Sequence, residues 1–260
     1  MSQAPDPRFA GIDRLYGRGS VARLARRHVA VIGVGGVGSW AAEALARSGL
    51  GALTLIDADE VCVSNTSRQL HALAGQYGRS KVAVLAERFA AINPALRMQA
   101  QERFATVDTL DAIYTSDCDL VLDACDSLRV KVALIAGCRR RRLPLIVVGS
   151  AGGRTDATRV QVRDLSRTEH DAMLSRIRKQ LRQDHGFPRN ADRFFGVPAV
   201  YSLENVRYPQ ADGSVCGRRP AGSDALKLDC GAGLGAATPV TGAFAFAAAG
   251  KALEVLLRER

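Results

Sequence analysis

The chain reads as an α/β protein built on a Rossmann-like, doubly wound, mainly parallel sheet, and three observations predict this. Short apolar runs recur along the first 150 residues, helical text separates each run from the next, and the first run feeds directly into the loop Gly33-x-Gly35-Gly36-x-Gly38. Strand, helix and strand in alternation is the signature of parallel pairing through crossover helices. The runs fall at 28–33, 52–57, 97–103, 119–125 and 144–150. Past Gly149 the pattern changes. GGRTDATRVQVRDL reads as a turn and a strand with alternating sides, and 197–206 as a further extended segment, so antiparallel strands are expected to extend the sheet. Between them, 168–185 reads as a charged helix followed by the irregular HGFPRNADRFFG. The C-terminal ALEVLLRER has helical spacing, with basic residues that suit a helix C-terminus. At 260 residues, with no internal repeat or low-complexity linker, the chain fits one elaborated domain over 1–260.

The glycine loop is the first chemical signal. Glycines let the backbone turn tightly and approach a phosphate at the N-terminus of the helix that follows. The next strand ends at Asp57, about 20 residues on, where a carboxylate can accept hydrogen bonds from ribose hydroxyls. Any adenine nucleotide satisfies both features. The text after it, DADEVCVSNTSRQ, is more particular, because Asn65, Arg68 and Gln69 emerge just past the carboxyl end of a strand, where open α/β sheets bind ligands. Lys81 opens the next helix. Two cations near a glycine loop suit a triphosphate better than a nicotinamide. Asp126, at the end of DLVLDACDS, places a carboxylate where it can hold a magnesium ion on phosphates. Taken singly, Arg68 and Lys81 also read as solvated surface charges and Asp126 as a helix N-cap; their convergence on strand ends is what favours a site.

Composition narrows the partners. A formal net charge of +10 is unusual for an enzyme of small molecules and natural for one that handles RNA phosphates. Arginines cluster at 139–142 and again at Arg176, Arg178, Lys179, Arg182, Arg189 and Arg193, where tRNA contact and a solvated helix face are both open readings. The six cysteines include no short CxxC pair, so reduced thiols in a cytoplasmic protein are expected and a structural zinc is not. The first residues lack a charged-then-apolar signal pattern. The 20 uncharged residues of 231–250 could span a bilayer by length, but Gly, Ala and Thr gain little in lipid, so a packed core or dimer helix is expected instead.

These motifs together resemble the ubiquitin-activating-like adenylyltransferases, the ThiF, MoeB and HesA relatives, over about the first 150 residues. Further text resembles one branch of that family, the dehydratases that cyclise threonylcarbamoyladenosine beside the tRNA anticodon: RLYG at 14–17, GGVGSWAAEALARSG, DADEVCVSNTSRQLHAL, INP at 92–94, GSAGGRTDATRVQVRDL, YPQADGSVC and LDCGAGLGAAT. The resemblance implies that Gly36 lies against ATP, that Asp57 holds the ribose, that Asn65, Arg68 and Lys81 contact phosphates, and that Asp126 binds Mg2+. It implies a homodimer in which Arg14 reaches the partner's ATP site. It also implies tRNA carrying threonylcarbamoyladenosine as substrate, activated as an acyl-adenylate. A sulfur-transfer partner protein would use Cys230 as the receiving thiol, against the more ordinary reading of a buried cysteine. The competing function is adenylation of the C-terminal glycine of a ubiquitin-like sulfur carrier, which the missing zinc cysteines disfavour. A non-catalytic RNA scaffold and an NAD oxidoreductase are the readings from other classes.

Overall fold

The computed structural model describes residues 6–114, 117–190, 192–219 and 234–258. Two short helices, α1 (Ala10–Tyr16) and α2 (Ser20–Leu24), precede the sheet. Then come β1 (His28–Ile32), α3 (Gly38–Ala46), β2 (Ala52–Ile56), α4 (Lys81–Ile92), β3 (Arg97–Gln101), α5 (Leu110–Tyr114), β4 (Leu120–Asp123), α6 (Leu128–Arg141) and β5 (Leu145–Val148). β6 (Val160–Asp164), α7 (Ala172–Asp184), β7 (Pro198–Ser202), a small hairpin of β8 (Tyr208–Pro209) and β9 (Val215–Cys216), and α8 (Thr238–Leu257) complete the chain.

The main sheet runs β3-β2-β1-β4-β5-β7-β6. All its pairings are parallel except β6 with β7, and β7 itself runs parallel to β5. The C-terminal extension is therefore one more parallel strand closed by an antiparallel edge. Strand order reverses between β1 and β4, the point at which loops diverge to opposite faces and leave a crevice at the strands' carboxyl ends.

Side chains of alternate strand residues enter two cores. Val29, Val31, Ile146 and Val148 pack with α3, α4 and α8, whereas Ala30, Ile32, Leu145 and Val147 pack with α5, α6 and α7. α7 shows how the sequence dictates this. Asp171 caps it by accepting from the Leu174 N–H, and Leu174, Ile177 and Leu181, spaced at helical intervals, are buried. Each contributes about 1.5–3 kcal/mol of burial.

α8 begins with Pro239 in its first turn and packs along α3, β5 and β6. It is long and apolar enough to cross a membrane by length and composition alone. In the structure Phe244, Ala245, Ala248, Ala249 and Ala252 are buried against the sheet side, and the small residues let it approach α3 closely. Cys230 and residues 231–233 lie outside the described residues.

Candidate active site

A crevice of about 360 Å3 opens at the switch point, and it is lined by Gly33, Gly35, Gly36, Asp57, Asn65, Arg68, Gln69, Lys81 and Asp126. One glycine expected at the nucleotide is not part of its wall. Gly38 begins α3, where a Cβ would stand 1.9 Å from the Gly33 carbonyl oxygen; it permits helix and loop to touch rather than meeting a ligand. Arg14 is exposed on α1 and does not line the crevice of its own chain.

The glycine loop crosses the end of β4 closely. Gly33 has φ +81°, and a Cβ there would lie 2.9 Å from the Ala124 carbonyl oxygen, so this crossing requires glycine. The loop is tied to β2 by Gly33 N–H donating to Ile56 O and Val34 N–H donating to Asp57 Oδ2, at 2.9 and 2.8 Å. The Asp57 carboxylate also accepts from the Asp59 N–H at 2.9 Å, which fixes it at the crevice wall.

The segment after β2 folds back over the loop. Asn65 is buried and its side-chain oxygen accepts from the Cys62 N–H, so it builds the turn as well as lining the crevice. Arg68, half-buried, lays its aliphatic stem on Gly36 and donates from Nη1 to Ser64 O at 3.0 Å. Its carbonyl accepts from Trp40 Nε1 and from the Thr241 hydroxyl, which ties α3 and α8 to this segment. Trp40 packs edge-on against Phe246 rather than bounding the crevice. Gln69 is buried beside Gly35, and its Oε1 has no hydrogen-bond partner among the described residues.

Lys81 has a counter-ion that the sequence does not announce. Its ammonium, almost wholly buried, donates to Asp59 Oδ2 at 2.7 Å, and Asp59 is itself largely exposed at the crevice. Of the two cations expected near the glycine loop, the ammonium is thus paired with a carboxylate, while the guanidinium is held by a backbone carbonyl. His71 sits behind Lys81, fully buried, with its pKa pushed down to about 4 by burial and then by the Lys81 charge. It is neutral and does not reach the crevice.

The far wall is set by the ends of β4 and β5. Ser127, not Asp126, caps α6 by accepting from the Val130 N–H. Asp126 is thereby left facing the crevice. Surrounding protein holds its carboxyl above the usual range; the Lys131 charge opposes this, and the Asp123 and Asp57 charges add to it. Lys131 and Asp123 form a pair at 3.1 Å, both fully buried, and Lys131 also donates to Val148 O at 2.8 Å, bracing β4 against β5. Burial works against the Lys131 charge, but the adjoining Asp123 holds its pKa above the ordinary lysine value.

A second glycine-rich loop, 149–153, faces the first. Ser150 N–H donates to Asp171, while buried Arg154 donates to Ser150 O and His170 O. Gly149, Ala151 and Gly152 line the crevice. Their place in the wall is not evident from the sequence alone, although a Gly-Gly pair directly after a strand is a signal that could have revealed it.

No described residues form a group of three or more His, Cys, Asp or Glu side chains. A protein cage for a metal is absent among them, but Mg2+ typically takes one or two carboxylates and completes its shell with phosphate and water. Asp126 fits that role, since its carboxylate is in the crevice wall and is not needed to cap α6.

A nucleotide-type crevice at this switch point, with a glycine loop and a triphosphate-sized set of cations, carboxylates and amides, places the chain in a class that comparison defines. The ThiF family profile matches residues 10–260, and the chain belongs to the ThiF family. It is 45% identical to the tRNA threonylcarbamoyladenosine dehydratase of Escherichia coli over 99% of this chain and 96% of that protein. It is 41% identical to the dehydratase of the same name from Haemophilus influenzae, over 98% of this chain and 95% of the relative. A solved structure of the E. coli tRNA N6-threonylcarbamoyladenosine dehydratase in complex with ATP superposes with a TM-score of 0.85 at 43% identity, covering 98% of this chain and 96% of that one.

Proposed function

We propose that the chain catalyses the ATP-dependent cyclising dehydration of threonylcarbamoyladenosine next to the tRNA anticodon. One observation carries the reading: the side chains of Asp57, Asn65, Arg68, Gln69, Lys81 and Asp126 converge on one crevice, in a chain similar along nearly its whole length to dehydratases of that name. The same similarity favours this substrate over a sulfur-carrier protein.

A carboxylate resists attack because its charge repels nucleophiles and oxide is a poor leaving group. In the proposed reaction the threonyl carboxylate attacks the α-phosphorus of ATP and pyrophosphate departs, giving an acyl-adenylate. The carbamoyl group tethered beside the activated carbonyl then closes a five-membered ring and AMP leaves, carrying away one of the original carboxylate oxygens. Proximity favours this second step and no enzyme nucleophile is needed.

Asp57 would hold the ribose, and the N–H groups of Gly35, Gly36 and Val37, which the ties of Gly33 and Val34 to β2 leave uncommitted, would receive phosphate. Arg68 offers its guanidinium to the charge that accumulates as pyrophosphate forms, and Lys81 joins it from its pair with Asp59. Asp126 would hold Mg2+, whose contribution is to neutralise phosphate charge. Arg14, exposed on α1, is assigned to the crevice of the other protomer in a homodimer. The test is isotopic. Substrate labelled with heavy oxygen in the threonyl carboxylate should transfer one label to AMP; unlabelled AMP alongside cyclised product would exclude the acyl-adenylate.

A further inference from the structure

At the end of the sheet opposite the crevice the two arginine clusters become one surface. α6 and α7 pack side by side, and their C-terminal ends carry Arg139, Arg140, Arg141 and Arg182. The guanidiniums there lie on aromatic rings: Arg139 is 4.1 Å from the Phe187 centroid, Arg182 5.2 Å from Phe195, Arg167 4.8 Å from Phe194 and Arg141 4.3 Å from Tyr114. The Phe187 and Phe195 rings meet edge to face at 4.9 Å, so arginines from two helices are braced by one aromatic pair. A guanidinium laid on a ring keeps its N–H edge for phosphate and has less rotamer freedom left to lose on binding.

The residues that lead into β7 are held by Asp164. Burial opposes ionisation of Asp164, but hydrogen bonds donated by Ser166, Phe195 and Val197 outweigh it and hold the carboxyl below its usual range; Gly196 N–H donates to it as well. So fixed, the loop presents Phe194, 63% exposed, beside Arg163 and Arg167 over a shallow hollow of about 580 Å3. Arg142, in the left-handed region at φ 55°, joins Arg139 and Arg258 around a neighbouring hollow of about 360 Å3 with an apolar floor. Of the nearby acids, Asp111 pairs with Arg141, Glu254 with Arg258, Glu169 with Arg163 and Asp164 with backbone, while Asp184 and Asp192 are exposed among a larger number of arginines.

We propose that this face docks the substrate RNA at a distance from the reacting nucleoside, with phosphates on Arg142, Arg189, Arg193 and the braced arginines and an unpaired base stacked on Phe194. The proposal rests on the RNA reading above. α6 starts at the crevice rim and spans 14 residues, so the surface lies about 20 Å from the reaction. An isolated nucleoside cannot cover that span. A folded RNA can, and ordered guanidiniums beside an exposed ring suit phosphate and base together.

The test compares the parent chain, R142Q/R189Q/R193Q, F194A and a control, R26Q/R97Q, whose two charges stand just before β1 and at the first residue of β3, at the same end of the sheet. Binding of tRNA carrying the modification is measured across a salt series, with ATP affinity and melting temperature alongside. The triple variant should bind at least about tenfold more weakly near 0.1 M salt and with a shallower salt slope, by about 0.9 for each phosphate no longer neutralised. F194A should weaken binding about tenfold with the slope unchanged. ATP affinity and melting should hold, and the control should bind like the parent. Parent-like binding by both variants, or an equal loss in the control, overturns the surface. So does binding to anionic phospholipid vesicles that the variants lose while tRNA binding stays intact. If the parent itself forms no AMP with modified tRNA, the reading of function fails instead, whatever the variants bind.

Discussion

Replacing Asp126 with Asn keeps the shape of the side chain and removes its charge at the crevice. The fold does not depend on that charge: Ser127, not Asp126, caps α6. A carboxylate and a cation about 4 Å apart, at an effective dielectric of about 20, attract by about 4 kcal/mol. If Asp126 holds Mg2+ on the departing pyrophosphate, its loss should slow AMP formation by about a thousandfold. Stability should move the other way or not at all. The folded-state carboxyl is raised above its ordinary value, chiefly because surrounding protein desolvates it, and since Asp126 still meets solvent its ionised form costs only a little stability above the unfolded-state value near about 4. D126N should therefore melt no lower than the parent at neutral pH, and any gain should vanish as pH falls to about 4. The assay is AMP release with saturating modified tRNA, run with a thermal melt. Parent-like turnover would refute the metal assignment; a large drop in melting temperature would refute the claim that Asp126 serves chemistry and not the fold.

Lys81→Ala should cost about a hundredfold in AMP formation, whereas Asp59→Asn, which frees the Lys81 ammonium, should change the rate by less than about threefold and not raise the KM for ATP. Equal losses would make the pair structural. Gly38→Ala should fail to fold or melt far lower, because a Cβ would fall 1.9 Å from the Gly33 carbonyl, while Gly36→Ala meets side chains and no backbone, the Thr241 methyl at 3.2 Å and the Arg68 stem at 3.4 Å, and should weaken ATP binding more than it lowers melting. His71, with a folded pKa of about 4 against about 6.5 unfolded, makes the protein lose stability as pH falls from about 6.5 to 4. The loss should total roughly 3 kcal/mol, and His71→Phe should flatten it in denaturant titrations; an unchanged acid limb would move the cause elsewhere.

The strands and the glycine loop were legible because a buried strand is written as an uninterrupted apolar run and a phosphate loop as spaced glycines. The runs overshot at their carboxyl ends: Gly33, Asp57 and Cys125 leave the sheet to form the crevice wall, and a strand pattern carries no mark where pairing stops. Strand order was not legible, since the parallel β5–β7 pairing joins segments separated by β6 and α7. That Asp57, Asn65, Arg68, Gln69, Lys81 and Asp126 line one crevice was legible because each follows a strand end or opens a helix. Asp59 was missed because its role depends on the fold of the segment between β2 and α4. The Asp123–Lys131 pair left a trace that could have been read, one carboxylate at the end of an apolar strand and one lysine within an apolar helix eight residues later. The arginine clusters showed charge in the sequence, but their bracing on Phe187, Phe195, Phe194 and Tyr114 joins segments that only the tertiary fold brings together.

The central claim is that ATP is spent on a carboxylate carried by tRNA. The direct measurement is AMP and pyrophosphate formed by the purified chain with tRNA that carries threonylcarbamoyladenosine, with the same tRNA lacking the modification, and with a ubiquitin-like sulfur carrier ending in glycine. The account predicts AMP, pyrophosphate and cyclised nucleoside in equal amounts from the first substrate alone. AMP formed with the carrier protein and none with the modified tRNA would contradict it.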